Sequence, residues 1–497
     1  MQFYIFAIVL IAAFLRFYNL PESFVFAGDE EYQATLAQSL IKDFHIIWVG
    51  VNAAHLGFYL GPYWTYFSAF WLWLSQGNPL ITGYISSIIG VLTTLSIILI
   101  GKFLFGRKTG LLAGLLYATL PLMVFLDQKY WNPTLIPLLS LLLLLSLSKI
   151  KQNTRWLILF AAVYGLVFHT HLQLVPLIFI AGYWIYRQKI RPSKQTILLS
   201  VTAFLIMVAP LIAFDYFRKG SNITTPLRYK EITSDYRNRI NPVQHFPALF
   251  QALGRVWYIR PPSINADEVI TSCTNASRID NPSVAEISQR YNPPIWLSLL
   301  GISLVLLFLI HRNTWKKDSH ILLALFLITL SGAFLLFPGG SFEYYLLGVF
   351  PLLMFLPEIL AGYLSGLNRL IILAVFLVAI LGTYTVLTNN PQFGLGVKNS
   401  LIKQVVREIG SEPFEIKQSG LCHFYEGWRY LFVVNGKKPE RSESDQGLGW
   451  LYPDEITNKP VKYTVIFSES RVPVNFDTKD ATVIRSGGFT AYIFKNF

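Results

Sequence analysis

Charge is scarce in this chain. Asp, Glu, Lys and Arg make up 14% of its 497 residues, whereas 53% are hydrophobic. That scarcity, together with repeated apolar runs of about 20 residues, excludes an ordinary soluble fold and points to a polytopic membrane protein. Cysteine is nearly absent too. Two residues, Cys273 and Cys422, exclude a disulfide framework. Both fall in segments read below as extracytoplasmic, which leaves one bridge or two free thiols open. Neither soluble segment carries a phosphate-cradling glycine loop, a zinc-ligand spacing or a nucleophile elbow.

The formal net charge is +13, which suggests nucleic acid until the surplus is located. It lies in five short loops between apolar runs: Lys102, Arg107 and Lys108; Lys149, Lys151 and Arg155; Arg187, Lys189, Arg191 and Lys194; Arg312, Lys316 and Lys317; and Arg369. Asp318 is the one acid among them, and the rest of the chain is balanced. This is the positive-inside signature of cytoplasmic loops, so no nucleic-acid partner is expected.

Eleven runs are expected to cross the bilayer: 2–20, 79–103, 109–126, 134–149, 156–171, 172–186, 196–214, 294–311, 320–337, 344–363 and 369–388. The first has no small-residue cleavage site before Pro21 and is expected to stay as an anchor. Five acids against Lys42 place the loop 21–57 outside. An odd number of crossings must separate it from the basic loop at 102–108. The Tyr- and Trp-rich run 58–75 is therefore read as a re-entrant or interfacial helix.

The expected fold is a polytopic α-helical membrane body, residues 1–388, with extracytoplasmic loops 21–78 and 215–293. A small extracytoplasmic α/β domain, 389–497, follows it. Within that tail Leu401–Ile409 reads as a helix, and Tyr463–Phe467, Thr482–Ile484 and Tyr492–Phe494 read as strands, with Gly487-Gly488 as a hairpin turn. Loop 215–293 is longer than an ordinary connector, which suggests a functional or lid-like role.

Polar groups gather at the outer ends of these runs. Phe26-Ala27-Gly28-Asp29-Glu30-Glu31-Tyr32 sets three carboxylates beside the first span, ahead of helical apolar spacing over 34–41. His55 and Tyr59 stand in the loop beyond. Asp127, Lys129 and Asn132 follow the 109–126 run, His169 and His171 end the 156–171 run, and Glu343-Tyr344-Tyr345 opens the 344–363 run. Gathered at one face rather than at mid-depth, they describe a surface site. Each has a plainer reading. Asp29 suits a helix N-cap, with Glu30 and Glu31 in the first turn. Asn132-Pro133 breaks a chain, Lys129 snorkels to headgroups, and histidines two apart make a poor metal pair. Asn222-Ile223-Thr224 and Asn275-Ala276-Ser277 fit the glycosylation sequon.

An Asp-Glu pair after the first span, an interfacial helix and the Gly61-Pro62-aromatic segment together resemble the lipid-dependent glycosyltransferases of the GT-C superfamily. The protein O-mannosyltransferases and the aminoarabinose transferases that modify lipid A are the nearest in pattern. Phe105-Gly106-Arg107-Lys108 followed by Leu111–Leu116 is similar to theirs as well. The resemblance covers about residues 1–390 as topology, rests on short motifs, and assigns no counterpart to the tail. Such enzymes move a sugar, with inversion, from a polyprenyl-phosphate carrier to an acceptor outside the cytoplasmic membrane or in the ER lumen.

The resemblance implies Asp29 as base and Glu30 as its acidic companion. Lys129 stands where the family usually has Arg, and Asn132 where it usually has a second Asp. That departure leaves open whether Asp127 substitutes and whether a divalent cation takes part; no other cofactor is implied. Glu343-Tyr344-Tyr345 stands where a His- or Arg-Tyr pair is common.

The residues suit this chemistry. A hydroxyl needs a base to take its proton, whereas a phosphate leaves without an acid. A cation must steady the phosphate: Lys129, or His55, Arg228 or Arg237 beside it. The expected partners are a polyprenyl-phosphate sugar, a lipid, glycan or protein acceptor, and membrane lipids. Short loops favour a prokaryotic plasma membrane with the site extracytoplasmic. A transporter or flippase, the first rival, requires mid-depth charges and paired repeats. A non-catalytic envelope assembly protein, the second, would use 389–497 as its binding module.

Overall fold

The computed structural model describes residues 2–53, 57–227, 245–259, 293–337, 343–419, 426–470 and 474–496. His55, Arg228, Arg237, both cysteines and the sequon at Asn275 lie outside them.

Every expected apolar run is helical, although the helices differ in length. Among the described residues Leu80–Leu104, Asn132–Lys149, Lys194–Phe217, Asp318–Leu336 and Asn368–Leu387 are long and apolar enough to cross a membrane. Gln2–Phe17, Trp156–Thr170, Leu172–Arg187, Ile295–Ile310 and Phe350–Tyr363 are shorter apolar helices. Large apolar side chains stay bare on their outer faces, among them Phe6 and Phe14, Leu198 and Ile206, and Leu373 and Ile380. Such bands are untenable in water and fit hydrocarbon, while the polar backbone is satisfied within each helix. The molecule is an integral membrane protein.

Two expected spans are broken. The run read as 109–126 is α6 (Arg107–Thr119) and α7 (Pro121–Gln128), bent by 64°. Pro121 offers no N–H to the carbonyl of Tyr117, and the bend takes Ala118 out of the ladder as well. Arg16, fully buried near the end of α1 (Gln2–Phe17), donates to both carbonyls, at 3.0 and 3.1 Å. Its Nε also donates to Asp127 of α7 at 2.8 Å, and Tyr117 Oη donates to the other carboxylate oxygen at 3.2 Å. The kink is therefore held by a buried ion pair. The run read as 344–363 is likewise interrupted, with Pro351 and Pro357 starting the short helices Phe350–Leu353 and Leu356–Tyr363.

The run 58–75 contains α4 (Tyr63–Leu74), preceded by the small antiparallel pair β1 (Asn52–Ala53) and β2 (Phe58–Tyr59). Twelve residues of helix span about 18 Å, too short for a hydrocarbon core of about 30 Å. Loop 215–293, read as wholly polar and outside, contributes more to the bundle than expected. Its helix His245–Arg255 packs on Ile295–Ile310, and Ala252, Leu253, Val256 and Trp257 join the main core.

The tail forms one mixed sheet in the order β4-β3-β5-β7-β6, from β3 (Phe414–Gln418), β4 (Arg441–Ser442), β5 (Tyr463–Glu469), β6 (Thr482–Ser486) and β7 (Phe489–Lys495). β3 runs parallel to β4 and β5, and the other pairs are antiparallel. The expected hairpin is present, Ser486 facing Phe489 across Gly487-Gly488. The helix Leu395–Ile409 lies against β6 and β7. This core is continuous with the first loop: Leu20, Phe24, Phe26, Ala34 and Ala37 cluster with Leu401, Ile402, Trp428 and Leu431.

Candidate active site

The chain enters the site through Gly28, whose φ of 52° and ψ of −111° suit a residue without Cβ. α3 (Asp29–Lys42) begins directly after it, so the N-cap is Gly28 and not Asp29. Asp29 is the first helical residue and exposed; the capping role is not the one it has. Three acids fill the first turn, where the helix dipole favours negative charge.

The two glutamates turn inward. Glu30 is 1% exposed and faces Lys129, whose Nζ lies 2.8 Å from Oε1. Burial pushes the Glu30 carboxyl above its ordinary range, and the Lys129 ammonium pulls it back part of the way. Glu31, 2% exposed, faces the tail and accepts a hydrogen bond from the Gly427 amide at 2.7 Å. Burial pushes its carboxyl up to about 7.

Lys129 links the α3 turn to the rest of the cluster. It leaves α7 in an extended conformation, and Thr134 Oγ1 pins the turn by donating to its carbonyl at 3.0 Å. The ammonium sits 4.9 Å from the Trp131 ring centroid, an attraction of ion to π-face. Trp131 meets Tyr344 edge-on, and His171 packs against both Tyr344 and Tyr345. Gln173 ties the same region together, donating to Tyr344 O and accepting from the Gly348 amide. Glu343 closes the row in a 2.8 Å ion pair with Arg255. A relay of contacts thus runs from Glu30, next to Asp29, through Lys129 and Trp131 to Tyr344, and on to Tyr345 and His171, with Glu343 adjoining.

Other expected site residues stand elsewhere. Asp127 is engaged by Arg16 and Tyr117 at the kink, so it does not supply the second carboxylate that Asn132 fails to provide. Asn132 is buried where a short 3-10 turn begins. His169 stacks on Tyr63 at 4.1 Å, its Nδ1 facing the Tyr63 amide and its Nε2 facing Met207 O. It fastens the start of α4 to the helix Lys194–Phe217. Tyr59 is held by Asn222, which accepts from its amide and donates to its carbonyl. Asn222 is buried there, which removes it as a glycosylation acceptor.

Arg255, Trp131, Gln173 and Lys398 were not among the expected site residues, and Glu31 was read only as one of the three carboxylates that open α3. Arg255 had a signal: Phe246, Leu249, Phe250 and Leu253 repeat at helical spacing just before it. Among the described residues no three His, Cys, Asp or Glu side chains converge to hold a metal ion. A hollow of about 790 Å³ beside Phe476, Asp477, Asp480 and Phe494 lies on the tail sheet and involves none of the cluster.

Residues 61–214 match the family model described as dolichyl-phosphate-mannose-protein mannosyltransferase. A comparison with curated proteins finds no match. Among solved structures the chain is similar to ArnT from Cupriavidus metallidurans. In the apo state the TM-score is 0.58 at 11% identity, covering 99% of this chain and 98% of that one. Bound to undecaprenyl phosphate it is 0.50 at 13% identity, covering 98% and 97%. The apo oligosaccharyltransferase of Archaeoglobus fulgidus matches with a TM-score of 0.51 at 13% identity, over 93% of this chain and 69% of that one. These matches take in the tail, which the resemblance in sequence did not reach. The chain carries the GT-C fold, that of the glycosyltransferase superfamily it resembles in sequence.

Proposed function

We propose that the protein transfers a sugar, with inversion, from a polyprenyl-phosphate carrier to an acceptor hydroxyl on the extracytoplasmic side of the membrane. The body 1–388 would cross eleven times, with the tail 389–497 outside. The observation that carries this reading is the joining of an exposed carboxylate, Asp29, to a partly exposed cation, Lys129, through Glu30. Base and phosphate-binding cation are the two groups the reaction requires. The fold, shared with an ArnT that binds undecaprenyl phosphate, supports the choice of donor.

In the proposed step Asp29 accepts the hydroxyl proton as the acceptor oxygen attacks the anomeric carbon. The bond from that carbon to the phosphate oxygen breaks, and its electron pair leaves with the polyprenyl phosphate. Lys129 steadies the leaving charge, in a setting where a fixed cation is worth far more than in water. Glu30 shares Lys129 with the phosphate.

The test is the full chain in lipid, offered a panel of polyprenyl-phosphate sugars and followed by release of polyprenyl phosphate. Asp29→Asn should lower kcat/KM by about 10²- to 10⁴-fold, the usual contribution of a positioned base. Wild-type rates in a correctly folded Asp29→Asn protein would end the proposal.

A further inference from the structure

We infer that the tail is a working part of the Asp29 site, in which Lys398 and Gly427 are positioning residues that hold the Phe26–Glu31 turn and so aim the carboxylate. The role rests on the reading of Asp29 as base; the contacts do not. Lys398 is fully buried on the apolar face of the helix Leu395–Ile409. A buried ammonium must find acceptors for its three protons, and this one has them. Nζ donates to Phe26 O at 3.0 Å, to Glu426 O at 2.6 Å and to Glu426 Oε2 at 2.7 Å. One of its acceptors is therefore a backbone atom three residues before Asp29. The rings of Trp428 and Phe489 flank the ammonium at 5.1 Å each.

Gly427 grips the same turn beside it. Its amide donates to Glu31, while its φ of +77° suits glycine. A Cβ there would meet Phe26 Cδ1 at 2.6 Å and Phe26 O at 2.8 Å. Further along, the Leu395 amide donates to Phe24 O at 2.8 Å, and the rings of Phe26 and Tyr430 pack at 5.1 Å. Residues 24, 26 and 31 are thus held by a segment some 370 to 400 positions later. Asp29, exposed between them, has its direction set by its neighbours.

A tail that only bound partners would need no buried cation on this turn. The cost of burying Lys398 is met by fixing Phe26 and Glu426 together, and what that fixes is the approach to Asp29.

The test uses the full chain in lipid nanodiscs, with Lys398→Met, Gly427→Ala and Glu31→Gln. Hydrogen exchange is followed over residues 24–33, over Leu80–Leu104 and over β5. Lys398→Met and Gly427→Ala should speed exchange over 24–33 at least tenfold and leave the other two segments unchanged. Donor turnover should fall at least tenfold in kcat with KM unchanged, and binding of undecaprenyl phosphate should stay within twofold, because Lys129 is untouched. Glu31→Gln, whose amide oxygen still accepts from Gly427, should keep the turn protected. If Lys398→Met does not fold, Gly427→Ala carries the test alone. Unchanged exchange over 24–33, or an equal rise in β5, overturns the inference, the second because it means that the tail has merely melted. Faster exchange over 24–33 in a protein that binds no undecaprenyl phosphate supports the hold on the turn and removes the glycosyl-transfer reading instead.

Discussion

Glu30 and Glu31 are adjacent and similarly buried, yet they differ in what faces them. Glu30 has a cation at ion-pair distance, whereas Glu31 has a backbone amide, with Lys398 acting on it from further away and Glu426 opposing. The difference bears on pH. The folded Glu31 carboxyl keeps its proton to about 7, and an unfolded one loses it near 4.5. Between those values the folded state holds more protons, so its stability falls as pH rises through that window and levels above it. Among the described residues Lys398, Glu426, Tyr430 and Tyr452 are polar groups that act on it or on which it acts. Apparent melting midpoints of wild type and Glu31→Gln, measured from pH 4.5 to 8, should isolate the effect. The midpoint of the wild type relative to the variant should decline across the window, and parallel curves would contradict the assignment.

The α6–α7 kink shows what one proline asks of an element. The bend frees two carbonyls and carries Asp127 down to a guanidinium from α1, after which Lys129 emerges toward Glu30. Arg16→Met leaves Asp127 buried and uncompensated, a loss of about 3–5 kcal/mol for a broken buried pair. Replacing both, as Arg16→Met with Asp127→Leu, should recover part of the loss, because the carbonyls of Tyr117 and Ala118 still lack a donor. Thermal unfolding in detergent would rank them wild type, double variant, single variant. A double variant as weak as the single one would show that the carbonyls, not the charges, decide the outcome.

The helices of this bundle were legible in the sequence because hydrocarbon demands long apolar runs, and the tail hairpin because Gly487-Gly488 breaks two alternating strands. The kink was not, since Pro121 sits inside an unbroken apolar run whose length alone looks like a span. Lys398 escaped for the opposite reason. It lies in register with Leu395, Leu401, Ile402 and Val405, on a stripe where a lone lysine reads as a flaw in the pattern. Its acceptors are remote in sequence, and no spacing encodes them. The same holds for Asp127 and His169, whose partners Arg16 and Met207 come from other helices.

At the scale of the whole molecule, the tail and the first loop share one apolar core, and the fold match to ArnT runs through both. This changes what a truncation can reveal. A chain ending at residue 388 loses Leu401, Trp428, Tyr430 and Leu431 from the cluster that buries Phe24, Phe26, Ala34 and Ala37. It also strips the partners of Glu31 and of the Phe26 carbonyl, and Lys42 loses Glu455. Exposed phenylalanines and an unsupported turn should make 20–43 an early target of limited proteolysis, while Leu80–Leu104 stays protected in lipid. An enzyme and a pure binder would both lose activity, so truncation does not separate them. Asp29→Asn does, because Asp29 is exposed and bears no load in that shared core. The variant should resist protease as wild type does and still lose transfer, whereas a binder should not register the change. Rapid cleavage at 20–43 in the truncated chain with the helical body intact is the expected pattern; an untouched loop would mean that it stands without the tail.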